Sequence, residues 1–83
     1  MSLPELLRVM TAAIVDDQEA IVVEELPSNG DGKLFQIKVS KGDVGKVIGK
    51  DGRIASALRT VAKAAGAKMG TKVMVNVFNK PVE

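Results

Sequence analysis

Val44-Gly45-Lys46-Val47-Ile48-Gly49-Lys50-Asp51-Gly52-Arg53-Ile54 is the stretch on which the fold turns. Gly49 and Gly52, three residues apart and flanked by Lys46, Lys50 and Arg53, predict a tight turn whose backbone an outside group can approach closely. A short apolar segment, Val44 to Ile48, runs into the turn, and a long amphipathic segment starts straight after it. The turn therefore feeds a helix N-terminus, where unpaired backbone N–H groups and the helix dipole attract anions. With basic side chains around that point, the group best suited to it is a phosphate.

Two other phosphate-binding patterns do not fit. A Walker loop needs two glycines five apart followed by Lys and Ser or Thr. No glycine stands five before Gly49, and Lys50 is followed by Asp51. A dinucleotide fingerprint needs G-x-G-x-x-G, whereas Gly45, Gly49 and Gly52 read G-x-x-x-G-x-x-G. The plain alternative is an ordinary corner between two helices, without any ligand.

Upstream, Lys33 to Ser40 alternates, with Phe35, Ile37 and Val39 facing one way and Gln36, Lys38 and Ser40 the other. That period predicts a half-buried strand. Pro27-Ser28-Asn29-Gly30-Asp31-Gly32 carries turn chemistry, so the β-branched run Ala20 to Leu26 before it is expected to pair with this strand as a hairpin. Earlier still, Leu3, Leu6, Leu7, Met10 and Ile14 recur at helical spacing, opened by a Ser2–Glu5 capping box. Between strand and turn, Asp43 is a candidate N-cap for a short helix from Val44 to Ile48.

Downstream, Ile54, Leu58, Val61 and Ala65 predict the core face of a helix ending near Ala65, with Gly66 and Gly70 marking its exit. Arg53, Ser56, Arg59 and Lys63 lie away from that stripe. Ala55, Ala62 and Gly66 form a strip of small residues suited to close packing, either inside the fold or against a second subunit. Thr71 to Asn79 alternates again and predicts a third strand, followed by a short tail over 80–83.

Composition narrows the function. The chain has 83 residues and 46% hydrophobic content, enough for one small domain with a single core. It has no Cys and no His, which excludes disulfides, the common zinc sites and histidine general bases. With no catalytic constellation evident, no enzyme, metal or cofactor is expected. No apolar run approaches 18 residues and no leader pattern is evident, so the expected location is cytoplasmic, without a membrane partner. The net charge of +2 conceals an asymmetry. Residues 1–32 hold one basic residue and seven acids, whereas residues 33–72 hold ten basic residues and two acids. A positive half around Gly49–Gly52 suits a polyanion; the alternative is a solvated surface whose charges happen to segregate.

The frame V-I-G-K-D-G-R-I resembles the GXXG core of a KH domain, a module that clamps single-stranded nucleic acid by its backbone. The element order helix, strand, strand, helix, GXXG, helix, strand is similar to that of type II KH domains, in their small single-domain bacterial form. The resemblance implies an α+β fold of order α-β-β-α-α-β, a three-stranded mixed sheet covered on one face by three helices. It implies one domain over residues 1–83: an N-terminal extension over 1–32, a minimal core over 33–79 and the loop at 49–52. It also implies a non-catalytic RNA-binding protein, an RNA chaperone or post-transcriptional regulator, acting on short single strands of RNA, with single-stranded DNA a further candidate. The resemblance further implies a homodimer, or pairing with a second KH-containing protein.

Carried onto this sequence, Gly49 and Gly52 allow close approach and Lys50-Asp51 meets the phosphates. Lys46 and Arg53 flank the entrance, and Arg59, with Lys63, extends the positive track. Some of Ile48, Ile54, Val44 and Val47, with residues of the second expected strand, Lys33 to Ser40, are the candidates for an apolar groove floor. Asp51 is the awkward member; it either faces phosphate or caps the following helix. With Phe35 and Phe78 the only aromatic residues, aromatic stacking platforms are not expected, and affinity rests on phosphate contacts and aliphatic packing. The competing function is a KH-fold assembly module with little nucleic-acid affinity of its own.

Overall fold

The computed structural model describes residues 2–28, 30 and 32–79, the side chains of residues 78 and 79 excepted. The expected tail over 80–83 and two residues of the 27–32 turn lie outside the described residues. The first helix, α1, covers Leu3–Ala12. Ser2 caps it, its hydroxyl accepting the Glu5 N–H at 3.3 Å as the capping box requires, while the Glu5 carboxylate accepts the Ser2 hydroxyl at 3.1 Å in place of the box's return bond to the backbone N–H. Its inner face is Leu3, Leu7 and Thr11. Thr11 is fully buried without penalty because its hydroxyl donates to the Leu7 carbonyl at 2.7 Å.

The expected strand at Ala20 begins later, because Gln18–Ala20 winds into a single 3-10 turn. Strand β1 is Val22–Leu26 and β2 is Lys33–Val39. They pair antiparallel from Val22 opposite Lys38 to Leu26 opposite Leu34, the expected hairpin. Strand β3, Val73–Asn79, pairs parallel with β2 from Lys33 opposite Val73 onward. The sheet is thus mixed, in the order β1-β2-β3, with β1 and β3 at its edges. Phe35, Ile37, Val39, Val73 and Val75 form its buried face, on which the helices pack.

Between β2 and β3 lie α2, Val44–Ile48, and α3, Arg53–Lys68. The core face of α3 differs from the expected stripe. Leu58 is buried and Ala65 half-buried, but Ile54 and Val61 are 36% and 43% exposed, while Ala55, Ala62 and Gly66 are buried. The helix lies so close to β3 that small residues make the contact. A Cβ at Gly66 would stand 2.4 Å from Val73 Cγ2 and 2.7 Å from the Thr71 carbonyl. Gly66 is therefore interior to α3 rather than its exit, and the small-residue strip packs inside the fold. The exit is Gly70, at φ +74°. There Gly70 N–H bonds the Ala67 carbonyl and Thr71 N–H the Gly66 carbonyl, a Schellman motif. No helix among the described residues is long and apolar enough to cross a membrane.

Candidate nucleic-acid interface

The connection from α2 to α3 is one 3-10 turn, Lys50–Gly52, entered and left through unusual backbone. Gly49 sits at φ 76°, ψ 175°, a region essentially reserved for glycine. Its missing Cβ is also a packing requirement, since a Cβ would lie 2.6 Å from Ile54 Cγ1. Gly52, at φ 73° and ψ 15°, differs: a Cβ there would meet nothing within 4 Å. Space in front of Gly52 is open to an outside group. Asp51 also adopts left-handed backbone, at φ 56° and ψ 25°. Asp tolerates that conformation better than most side chains, which accounts for an acid at this position. Asp51 does not cap α3; the N-cap is Gly52, with no side-chain cap bond, and the Asp51 carboxylate is exposed. Within the turn Gly52 N–H donates to the Gly49 carbonyl at 3.2 Å, whereas the Lys50 and Asp51 N–H groups donate to no described residue. Those two N–H groups, at the N-terminus of a four-turn helix, are suited to an anion.

The side chains around the turn divide into free and engaged. Lys50 and Arg53 are exposed. Lys46 is engaged: its ammonium pairs with Asp16 and lies 3.5 Å from Asp43 Oδ1. The hydrogen bond to Asp16 is the main reason its pKa is raised. Asp43 does not make the expected N-cap bond to α2. Its buried carboxylate instead accepts the N–H groups of Asp16 and Asp17 at 3.2 and 3.0 Å and the Ser40 hydroxyl at 2.9 Å. The Asp17 N–H, helped by the Asp16 N–H, Ser40 and Lys46 against the cost of burial, holds the Asp43 carboxyl down to about 2. This knot ties the segment after α1 to the end of β2 and the start of α2, and so sets the direction in which α2 delivers the turn. Nothing local in the sequence marks it, because the partners are 26 and 27 residues apart.

Helix α3 presents two flanks. On one, Arg59 Nε donates to the Val75 carbonyl at 3.0 Å. One turn on, Lys63 lines a cleft of about 460 Å³ with Ala67, Thr71, Lys72, Val73 and Met74. This flank faces the outer edge of β3. Because Lys33 N–H bonds the Lys72 carbonyl and the register is parallel, Val73, Val75 and Val77 turn their N–H and C=O groups away from β2, towards that edge. On the other flank, Ile54 lines an apolar groove of about 290 Å³ with Met10, Ala13, Ile14, Ala57 and Val61. Ile54 and Arg59 thus serve different surfaces. Ile48, 38% exposed, stays beside the turn, while Val47 is fully buried and Val44 partly buried. The cleft beside β3 takes its apolar lining from Ala67, Val73 and Met74, residues whose sequence pattern reads only as helix end and strand start, and Val44, Val47, Ile48 and Ile54 do not line it.

Comparison with known proteins agrees with this geometry. A family model described as the KhpA/KhpB KH domain matches residues 4–77. A Clostridium perfringens protein named RNA-binding protein KhpA is 43% identical over 74 residues, covering 89% of this chain and 97% of that protein. An Aquifex aeolicus protein of the same name is 33% identical over 77 residues, covering 93% and 96%. Crystal structures of Era, one from Aquifex aeolicus and one in complex with a segment of 16S ribosomal RNA, superpose with a TM-score of 0.63 at 19% identity, over 96% of this chain and 30% of theirs. At that identity the likeness shows the fold alone. The architecture is that of a type II KH domain, and the chain belongs to the KhpA/KhpB family of KH domains.

Proposed function

We propose that this chain is a non-catalytic RNA-binding protein. It clamps the backbone of a short single strand at Gly49–Gly52 and lays the adjoining bases along the cleft between α3 and β3. The observation that carries the reading is the turn itself: open space before Gly52, two N–H groups without partners among the described residues, and Lys50 and Arg53 exposed beside them. Relatives named RNA-binding protein KhpA support RNA as the ligand, and single-stranded DNA shares the phosphate chemistry. Arg53 meets the backbone with Lys50, and Arg59 and Lys63 line the path onward. Lys46 reaches a phosphate only by leaving Asp16. Ile48 adds apolar contact beside the turn. One domain with these few contacts binds in the micromolar range or weaker, at about 10⁻⁶–10⁻⁴ M. The role that fits is an RNA chaperone or post-transcriptional regulator in the cytoplasm, formed by the single domain over residues 1–83.

A second reading, assembly, rests on the apolar groove beside Ile54 and Val61. A second copy of the chain, or a second KH protein of the KhpB (Jag) kind, would raise RNA affinity by placing two clamps on one strand. Chemical-shift mapping with a ten-nucleotide RNA tests the pair. Shifts at Lys50–Arg53 and along Arg59–Met74 support the clamp. Shifts absent there, with self-association that Val61→Asp abolishes, would leave assembly alone.

A further inference from the structure

The bond from Arg59 to Val75 has a consequence for which base the cleft accepts, an inference that rests on the RNA-binding reading above. The outer edge of β3 at Val75 would by itself offer one backbone donor, the N–H, beside one backbone acceptor, the C=O. Adenine carries a complementary pair, the N6 amino donor beside the N1 or N7 acceptor, so a bare strand edge suits adenine. Here the carbonyl is already occupied by Arg59 Nε at 3.0 Å. A guanidinium has five N–H donors and no acceptor, so four remain after that bond. Bound to Val75 by Nε, the guanidinium lies at the outer edge of β3, one helical turn along α3 from Lys63 and one residue along β3 from Met74, both of which line the cleft. At this point the wall is all donor.

We propose that Arg59, held on Val75, is a specificity-determining residue. It selects at the facing nucleotide a base edge with two adjacent acceptors and rejects adenine. Guanine supplies such an edge through O6 and N7, and cytosine through N3 and O2. Uracil interrupts its two carbonyl oxygens with N3–H, and adenine places an amino group against the guanidinium. A planar fork that meets two acceptors at once discriminates by geometry, which a lysine ammonium at the same place does not. Bidentate readout of this kind discriminates by about five-fold at its lower limit.

The test is fluorescence anisotropy with RNA decamers of A, of U, of C, and of alternating A and G, on the wild type, Arg59→Lys and Arg59→Met. The wild type is expected to bind the cytosine or the adenine–guanine decamer at least about five-fold more tightly than the adenine and uracil decamers, and the two arms tell which base fills the site. Arg59→Lys is expected to bring all four within two-fold while keeping the salt dependence; Arg59→Met flattens the preference too and shallows the salt slope. Equal wild-type binding of all four, with salt dependence, overturns this inference and leaves the phosphate clamp standing. A preference that survives Arg59→Lys overturns it as well. No binding of any decamer would overturn both readings.

Discussion

Replacing each loop glycine by alanine separates what the turn needs to fold from what it needs to bind. At Gly52 an added methyl meets nothing within 4 Å, so the cost is conformational only. Left-handed backbone costs an L-residue about 1–2 kcal/mol, and the stiffer unfolded chain returns about 0.4–1 kcal/mol. The net loss is about 1 kcal/mol, or about 4–8 °C in Tm for a domain of this size. At Gly49 the backbone lies in the glycine-only region, worth about 1–3 kcal/mol. The new Cβ would also stand 2.6 Å from Ile54 Cγ1, forcing that side chain to move. Overpacking of this kind costs about 1–3 kcal/mol, and the total of about 4 kcal/mol is a large share of the about 4–12 kcal/mol expected for 83 residues. Urea unfolding followed by circular dichroism at 222 nm measures both. Binding should rank the other way among folded proteins. The Gly52→Ala methyl fills the space a phosphate needs, and losing one charge-assisted hydrogen bond costs about 1.5–3 kcal/mol, at least about ten-fold in Kd. Gly52→Ala with unchanged RNA affinity would refute the approach at Gly52, and Gly49→Ala as stable as Gly52→Ala would refute the packing account.

Asp51→Asn keeps a side chain that tolerates left-handed backbone and removes a charge that repels phosphate. Two unit charges about 4 Å apart in water interact by about 1 kcal/mol, so affinity for single-stranded RNA at low salt should rise by up to about five-fold. Asp43 gives the protein an acid limit. Its folded pKa of about 2 lies below its unfolded value, so its stabilisation is fully present above about pH 4 and is lost as pH falls from there towards 2. Urea midpoints across that range should fall for the wild type and flatten for Asp43→Asn. Gly66→Ala should lower the Tm although alanine is the better helix former by about 0.5–1 kcal/mol, because its methyl collides with Val73 and the Thr71 carbonyl. A higher Tm would show that α3 can move off β3 at little cost.

Much of this was legible in the sequence because it is written locally. The glycine pair, the alternation of Lys33–Val39 and Val73–Asn79, and the Ser2–Glu5 capping box each specify their element within a few residues. The sequence misleads on the face of α3, because two of its largest apolar side chains, Ile54 and Val61, are not turned to the core. What selects the inner face is the closeness of α3 to β3, which admits Ala55, Ala62 and Gly66 and turns Ile54 and Val61 outward. Asp43 reads as an N-cap from its neighbours, yet its partners Asp16 and Asp17 come from across the fold. In the sequence Arg59 is one more charge of a positive track, and only the register of β3 places its Nε on Val75. The same long-range contacts divide the candidate site residues. Lys50, Arg53 and Arg59 stand on the path proposed for RNA, Lys46 is held by acids, and Ile54 faces another groove.

The central claim is the phosphate clamp at Gly49–Gly52, and one titration tests it most directly. Fluorescent ten-nucleotide single strands of RNA and DNA are titrated at two salt concentrations with the wild type and with Lys50→Asp, which makes both middle loop residues acidic. Lys50 is exposed, so the substitution should change stability by no more than about 0.5 kcal/mol. The clamp predicts wild-type binding that weakens with salt and that Lys50→Asp loses at both concentrations. Equal binding by the two proteins would contradict it and move the site elsewhere on the basic half of the chain.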